Sequence, residues 1–174
     1  MSIHKPNSIL IFLPRIDFNE DEYKTVKNGL TKAGKQVFIT SDDHSVCSGS
    51  KGMKVKSDTS FLNVNVNNFS AFALIGGTGS RNYWNNEMLH KIIKNFFDAK
   101  KIVAAICSSP VILAKAGILQ NKKATCFSKD KMELIDDGID YQDRNVIIDG
   151  NIITADNSRS TVQFVESIVH LTKQ

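Results

Sequence analysis

The sequence predicts an α/β fold, a three-layer sandwich whose mostly parallel sheet carries helices on both faces. Short apolar runs alternate with segments of helical periodicity through most of the chain, and this alternation is typical of parallel strand-helix-strand units. One run, Ile102–Ile106, is apolar at every position, as in a central strand covered on both sides. Asp149 and Gly150 separate two further apolar runs, which predicts a single hairpin near the end.

The N-terminal part has the pattern of one parallel strand-helix-strand unit. Residues 8–13 and residues 36–40 are apolar runs that predict two strands. Between them, Asn19 and Glu22 have the spacing of a capping box, in which each side chain bonds a backbone N–H of the other residue. Helical spacing of apolar residues then continues to Gly34. The unit is long enough for a parallel crossover.

The middle of the chain is less regular. Residues 41–52 are polar and predict a loop, residues 53–57 alternate like an edge strand, and residues 61–70 fit either a strand or an irregular crossover. Residues 71–75 predict a buried strand that leads into a glycine-rich turn at residues 76–79. That turn lacks the spacing of a phosphate-binding loop, so a tight turn or an oxyanion-binding role fits it better.

The second half alternates strands with helices up to a terminal helix. Ser160 and Gln163 repeat the capping-box spacing at the start of that last helix. The expected helices cover residues 86–99, 111–116, 130–136 and 161–171, and the expected strands cover residues 102–106, 123–127, 145–148 and 151–154.

Composition and charge are those of an ordinary globular protein. Apolar residues make up 41% and charged residues 23% of the 174 residues, a balance that predicts one domain over residues 1–174. The net charge of +4 is spread along the chain without a nucleic-acid motif, so we expect no nucleic-acid partner. No apolar run approaches the roughly 18 residues of a membrane span, and the first residues lack the apolar core of a signal peptide. We therefore expect no membrane association.

The three cysteines, Cys47, Cys107 and Cys126, are an odd number without a C-x-x-C pair. This pattern argues against a disulfide framework and against a structural zinc site. It favours the reducing cytoplasm as the location. No motif indicates a metal or a cofactor, so we expect neither.

One stretch, residues 101–110, joins the most apolar strand to a cysteine and then to a helix opened by proline. Cys107 therefore lies at the carboxyl end of a strand, where parallel sheets form their sites. The small residues Ala105 and Ser109 flank it two positions away on each side, as in the nucleophile elbow of serine hydrolases. The N-terminus of the following helix would favour the thiolate. A buried structural cysteine is the alternative.

Two further segments reach the same edge of the sheet. Glu22 follows the first strand and Gly77 follows the strand at residues 71–75, so both can approach Cys107. We expect Glu22 to donate or accept a proton at Cys107, unless the capping box is its only role. The backbone N–H groups of Gly77 and Ser108 are candidates for an oxyanion hole, with a tight turn as the alternative for the glycines.

Histidine, the usual activator of a cysteine nucleophile, is scarce. Of the four histidines, only His44 follows a strand at this edge of the sheet, and a solvated loop residue is the simpler interpretation of it. The other candidates for the pocket also fit core packing, a turn or a loop; they are Gly76, Cys126, Phe127 and Asn157.

Several ordered motifs resemble those of the DJ-1/PfpI superfamily, whose members share a class I glutamine-amidotransferase-like, flavodoxin-like sandwich with a nucleophile elbow. They cover nearly the whole chain. The motifs are DFNEDEY at 17–23, ALIGGTG at 73–79, VAAICSSP at 103–110, LAKAGIL at 113–119, KATCF at 123–127 and DGNIITA at 149–155.

The resemblance implies a role for each site residue. Cys107 would be the elbow nucleophile and oxidation-sensitive thiol, and Glu22 the protonated carboxylic acid that hydrogen-bonds it. Gly77 and Ser108 would supply the N–H groups of the oxyanion site. The resemblance also implies a homodimer.

Two histidines familiar in the superfamily are absent from this chain. Peptidase-like members carry histidine directly after the cysteine, where this chain has Ser108. Human-type members carry histidine in the segment that here reads Thr125-Cys126-Phe127. Acid–base catalysis by an imidazole is therefore unsupported.

Three functions remain open from the sequence. The first is a glyoxalase- or deglycase-type enzyme, in which Cys107 adds to a small electrophile such as a 2-oxoaldehyde and Glu22 moves the proton. The second is a sensor in the oxidative or carbonyl stress response, in which an oxidant converts Cys107 to a sulfenic or sulfinic acid. The third, an intracellular cysteine peptidase or amidase, ranks last because no histidine adjoins Cys107.

Overall fold

The structure, a computed structural model, describes residues 6–173. Its strands are β1 (Ser8–Phe12), β2 (Ile16–Phe18), β3 (Gln36–Ser41), β4 (Val46–Gly49), β5 (Lys54–Lys56), β6 (Thr59–Ser60), β7 (Ala71–Leu74), β8 (Ile102–Ile106), β9 (Lys123–Ala124), β10 (Asp140–Tyr141), β11 (Val146–Asp149) and β12 (Ile152–Ala155). Its α-helices are α1 (Glu20–Lys32), α2 (Glu87–Asp98), α3 (Pro110–Lys115), α4 (Lys131–Asp136) and α5 (Thr161–Thr172).

A seven-stranded sheet forms the centre of the molecule, with the order β11-β12-β8-β7-β1-β3-β6. Neighbouring strands are parallel throughout except for the hairpin of β11 and β12. The predicted sandwich with a mostly parallel sheet is thus confirmed. None of the helices described is long and apolar enough to cross a membrane.

The two faces of the sheet are covered by separate apolar cores. Strand β8 shows why: Val103 and Ala105 belong to the core that includes α2 and α3, whereas Ala104 and Ile106 belong to the core that includes α1 and α5. Because successive side chains of a strand point to opposite faces, a strand buried on both sides must be apolar at every position. The uniform apolar run of β8 follows from this arrangement.

A small second sheet corrects the expected loop at residues 41–52. Strand β4 lies within that stretch and joins β2 and β5 in a three-stranded sheet. Only Cys47 and Gly49 of β4 are buried, so its sequence lacks the apolar alternation that reveals a strand. The edge strand expected at residues 53–57 is present as β5.

Three other expectations are corrected. The strand expected at residues 123–127 ends at Ala124, so Cys126 lies beyond it in an irregular segment. Residues 61–70 form two short 3₁₀ helices, Phe61–Asn63 and Val66–Asn68. Ser160 does not cap α5 with its side chain, because its hydroxyl bonds Asp156 instead.

The order of the central strands determines where a site can form. Strands β8, β7 and β1 are neighbours and run parallel, so the segments that follow their carboxyl ends meet at one edge. Those segments contain Cys107, the glycine-rich turn and the start of α1 with Glu22.

Candidate functional site

Cys107 occupies a strained elbow between β8 and α3. Its φ is 65°, in the left-handed region that costs an L-residue about 1 kcal/mol or more. Two hydrogen bonds hold the turn: the Cys107 N–H donates to Ala155 O at 3.0 Å, and the Ser109 hydroxyl donates to Ile75 O at 2.7 Å. Strain of this kind persists only where the surrounding structure imposes it, and it is concentrated at functional sites.

Gly76 allows Cys107 and Glu22 to approach each other. A Cβ atom at this position would lie 2.5 Å from the Cys107 Cβ and 3.0 Å from Glu22 Oε2. Its backbone N–H donates to that same Glu22 oxygen at 3.0 Å. Glycine is therefore required at position 76 by space, and its backbone N–H holds the Glu22 carboxyl in place.

Gly76→Ala is expected to destabilise the protein by about 1–3 kcal/mol, because the added methyl group overpacks a closed site. It also pushes the Glu22 carboxyl away from the Cys107 sulfur. Thermal denaturation and the alkylation rate of Cys107 measure the two effects. Gly34→Ala is a useful comparison, because nothing lies within 4 Å of a Cβ there and only its positive φ is strained. Equal alkylation rates in Gly76→Ala and the wild type would contradict the proposed spacing.

Glu22 is fully buried and its carboxyl group has two hydrogen-bond partners. Oε2 accepts the Gly76 N–H, and Oε1 accepts the Ser158 hydroxyl at 3.2 Å. The Cys107 thiol lies near the same carboxyl and lowers its pKa. Only one of the two hydrogen bonds of a capping box is present. Asn19 Oδ1 accepts the Glu22 N–H at 3.1 Å, but the Asn19 N–H donates to Gly76 O rather than to the Glu22 side chain. The Glu22 carboxyl therefore faces Cys107 and is not used in capping.

The pKa values of Glu22 and Cys107 are both raised. Burial raises the pKa of Glu22 from 4.5 to about 7, against the opposing effects of the hydrogen bonds from Gly76 and Ser158 and of the nearby Cys107 thiol. Burial, and then the charge of Glu22, raise the pKa of Cys107 to about 12. Burial thus outweighs the expected effect of the helix N-terminus, which would favour the thiolate. At neutral pH the Cys107 thiol keeps its proton, and Glu22 is partly ionised and can accept a proton.

Two backbone N–H groups lie near the Cys107 thiol. Those of Gly77 and Ser108 lower its pKa, although burial and the Glu22 charge outweigh them. Gly77 has a φ of 109°, and a Cβ there would lie 2.3 Å from Asp17 O. The turn therefore needs glycine in order to place its N–H at the sulfur.

A cavity of 460 Å³ adjoins the elbow. It borders the site through Ser158, which bonds Glu22, and through Phe127, whose N–H donates to Cys107 O at 2.8 Å. A larger cavity of 670 Å³ lies between α1 and α5, and neither cavity is lined by Cys107 or Glu22. We regard the smaller one as the candidate pocket, because Ser158 on its wall bonds Glu22. Residues lining it include Cys126, Phe127, Tyr141, Asp156, Asn157 and Ser158.

His44 does not line this pocket. Its Nε2 lies 3.5 Å from Asn63 Nδ2, on the first 3₁₀ helix. His90 bonds the carbonyl of Trp84, and the Trp84 indole N–H donates to Ser108 O at 3.0 Å. Trp84 thus bonds the elbow through the Ser108 carbonyl. Within residues 6–173, no cluster of His, Cys, Asp and Glu suits a metal ion.

Ser158 lies in the loop after the final strand, which the sequence suggests only as a rim of the site or an ordinary loop. Its hydroxyl joins Glu22 and Asn19, accepting a bond from Asn19 Nδ2 at 3.0 Å and donating to Glu22 Oε1. The only sequence signal is its position just after the final strand of the sheet, which is the edge where the other site residues lie.

Comparison with known proteins shows the family to which the chain belongs. A sequence model of the DJ-1/PfpI family matches residues 7–171. The chain belongs to the DJ-1/PfpI family. Deglycase PfpI of Pyrococcus furiosus is 31% identical over 164 residues, which cover 94% of this chain and 99% of that protein. Deglycase PH1704 of Pyrococcus horikoshii is 30% identical over the same length and shares of the two chains.

The DJ-1/PfpI fold is equally clear among solved structures. The crystal structure of a ThiJ/PfpI domain protein from Brachyspira murdochii matches with a TM-score of 0.94 and 30% identity, over 97% of this chain and 98% of that one. The resemblance that the motifs indicated is therefore confirmed.

Proposed function

We propose that this protein is a glyoxalase- or deglycase-type enzyme that acts on small 2-oxoaldehydes, with Cys107 as nucleophile and Glu22 as proton carrier. The observation that carries the proposal is the position of the buried Glu22 carboxyl, which the Gly76 N–H holds beside Cys107 and whose pKa is about 7. A group with a pKa near the working pH is suited to both accept and donate a proton. The similarity to proteins named deglycases supports the same chemistry.

The first step is addition of the thiol to the aldehyde. The sulfur bonds the carbonyl carbon, its proton passes to the Glu22 carboxylate, and the carbonyl oxygen becomes an alkoxide. The Gly77 and Ser108 N–H groups stabilise that negative charge. Glu22 then returns the proton to the oxygen, and the product is a neutral hemithioacetal.

The second step moves one hydrogen along the substrate. Glu22 takes a proton from the former aldehyde carbon, and the electrons form the double bond of an enediolate whose negative charge lies on the former ketone oxygen. Glu22 then delivers the proton to the former ketone carbon, and the hydroxyl proton on the former aldehyde carbon passes to the former ketone oxygen. The result is a thioester of a 2-hydroxy acid. Water attacks this thioester and releases the acid and the Cys107 thiol, so the overall change is addition of one water to the 2-oxoaldehyde. No imidazole is required.

Assay of the purified protein with methylglyoxal tests the proposal. We expect lactate to form at a rate proportional to protein concentration. Cys47→Ser is the matched control, because Cys47 is buried in the small second sheet and should leave turnover unchanged. A lactate rate equal to that of buffer would contradict the proposal.

Ser158→Ala is expected to raise the apparent pKa of the acidic limb of turnover above about 7. The Ser158 hydroxyl stabilises the charged Glu22 carboxylate, so removing it favours the protonated form. The acidic limb of the pH–rate profile should move by about half a unit to one unit. Ser160→Ala is the control, since the Ser160 hydroxyl bonds Asp156 rather than Glu22. An unchanged profile in Ser158→Ala would show that this bond does not set the pKa of Glu22.

A redox-sensing role is the second candidate, and the donors around the sulfur favour it. An oxidised Cys107 carries negative oxygens, which the N–H groups of Gly77 and Ser108 are placed to bind. The peptidase or amidase alternative has less support, because His44 and His90 bond Asn63 and Trp84 rather than Cys107.

We also propose that the protein is a homodimer located in the cytoplasm. Membership of the DJ-1/PfpI family supports a homodimer, and sedimentation equilibrium of the purified protein tests it. The cytoplasmic location, the single domain and the lack of a cofactor are predictions from the sequence alone.

A further inference from the structure

We propose that the ion pair between Arg81 and Asp130 positions the oxyanion donor of the elbow, the N–H group of Ser108. The proposal rests on the proposed function, in which that N–H stabilises the alkoxide formed from the substrate. Neither charged residue lines the candidate pocket. Both act through the backbone of neighbouring segments rather than on the substrate, so they are positioning residues.

The peptide group between Cys107 and Ser108 carries this donor. Its C=O belongs to Cys107 and its N–H to Ser108, and the two point in opposite directions because the group is planar and trans. The Phe127 N–H donates to Cys107 O at 2.8 Å. This bond therefore directs the Ser108 N–H to the opposite side, where it lowers the pKa of the Cys107 thiol. The position of Phe127 thus sets the direction of the oxyanion donor.

A second bond holds the next peptide group of the elbow. The Trp84 indole N–H donates to Ser108 O at 3.0 Å. Two segments that are distant in the sequence, one with Trp84 and the other with Phe127, therefore fix the two carbonyl groups on either side of the Ser108 N–H. The peptide group of the donor can turn only if one of these segments moves.

Each of the two segments is a tight turn that leads to the ion pair. The Trp84 N–H donates to Arg81 O at 3.3 Å, and the Asp130 N–H donates to Phe127 O at 2.8 Å. Arg81 Nη2 donates to Asp130 Oδ1 at 2.9 Å. The elbow, the two turns and the ion pair therefore form a closed ring, in which each segment limits the movement of the other.

The ion pair is better suited to fixing a position than to adding stability. The Asp130 side chain is 6% exposed and that of Arg81 is 37% exposed. Within residues 6–173, two of their buried atoms, Arg81 Nε and Asp130 Oδ2, have no hydrogen-bond partner. A buried ion pair with unsatisfied atoms offsets little more than its own desolvation. Its one hydrogen bond nevertheless determines the distance between the two turns.

Arg81→Gln and Asp130→Asn test the proposal in the full chain. We expect each to lower kcat for methylglyoxal by about 10–100-fold, because complete loss of an oxyanion donor costs about 10²–10³-fold. KM should stay close to the wild-type value, since the donor acts on charge that develops only in the transition state. Arg81→Lys should restore kcat, because a lysine can make the single bond to Asp130 Oδ1.

The alkylation rate of Cys107 is a second readout, followed by peptide mass at pH 8. A misplaced Ser108 N–H stabilises the thiolate less. We expect alkylation to slow by about threefold or more in Arg81→Gln and Asp130→Asn, which corresponds to a rise of about half a unit in the thiol pKa. Arg81→Lys should again be close to the wild type.

Lys115→Gln is the matched control for a purely structural role. Lys115 pairs with Glu133 and Asp137 at 3.3 and 3.0 Å and so joins α3 to α4, the helix that begins directly after Asp130. Its ion pairs do not involve either turn, so we expect kcat and the alkylation rate to be those of the wild type. The double variant of Arg81→Gln with Asp130→Asn leaves no buried unpaired charge, which keeps the test decisive if a single variant folds poorly.

Three outcomes would overturn the proposal: a wild-type alkylation rate in the variants of Arg81 and Asp130, an equal loss in Lys115→Gln, or a loss in the double variant that is the product of the two single losses. Alkylation requires no aldehyde turnover, so it decides the matter even if the wild type forms no lactate. Failure of the ion pair to position the donor is therefore distinguishable from failure of the proposed enzyme function.

Discussion

Cys107→Ala is expected to lower kcat/KM for methylglyoxal by at least about 10³-fold, because the sulfur forms the covalent bond on which every later step depends. The substitution keeps the Cβ atom that packs against Gly76 and keeps the left-handed backbone at position 107. We therefore expect a melting temperature close to that of the wild type. Lactate formation and thermal denaturation of the same preparation provide the measurement.

Cys107→Ser separates nucleophilicity from hydrogen bonding. Serine keeps a donor to Glu22 but is a far weaker nucleophile at neutral pH, so its turnover should resemble that of Cys107→Ala. Turnover in Cys107→Ala within a few-fold of the wild-type value would show that the reaction does not pass through Cys107.

Glu22→Gln is expected to lower kcat/KM by about 10²–10³-fold, since a positioned acid–base group contributes an effect of that order. Glutamine is nearly isosteric and still offers an oxygen to the Gly76 N–H, so the elbow geometry should survive. In the wild type, turnover should fall below pH 7 as Glu22, whose pKa is about 7, becomes protonated and no longer accepts the thiol proton. The variant should lack this acidic limb.

The same substitution has a second expected effect, on stability. The pKa of Glu22 is higher in the folded protein than in the unfolded chain, where its usual value is about 4.5. The folded state therefore binds one more proton between these values, and the free energy of unfolding falls as the pH rises from about 4.5 to about 7. The loss amounts to about 3 kcal/mol. Glu22→Gln should be free of this loss, and denaturant unfolding at pH 5 and pH 8 measures it.

Glu20→Gln is the matched control for both effects. Glu20 is also buried at the start of α1, but Oε1 accepts the N–H groups of Lys51 and Met53, away from Cys107. Its pH–rate profile should match that of the wild type. If Glu22→Gln kept the acidic limb near pH 7, another group would have to be the proton acceptor.

The sheet and the elbow could be predicted because their determinants are local. Strand β8 is apolar throughout, and small residues flank Cys107 in the sequence itself. Helix α1 begins with Asn19 as its N-cap, as its spacing predicted. In each of these segments, the residues that determine the local structure lie close together in the sequence.

The partners of Glu22 could not be predicted in this way. Its bonds to Gly76 and Ser158 span 54 and 136 residues, and its spacing from Asn19 indicated capping just as well. The raised pKa of Cys107 was missed for the same reason: burial depends on the assembled core, whereas the sequence showed only the helix that follows. Strand β4 was missed because only Cys47 and Gly49 in it are buried, and its partners β2 and β5 are only three residues long.

The central claim is that Cys107 and Glu22 act as one proton-sharing pair, and the pH dependence of Cys107 alkylation tests it most directly. The account predicts an alkylation rate that rises through an inflection near pH 7, where Glu22 loses its proton and can accept that of the thiol. In Glu22→Gln this inflection should be absent. A single inflection near the free-thiol value of about 8.5 in both proteins would contradict the account.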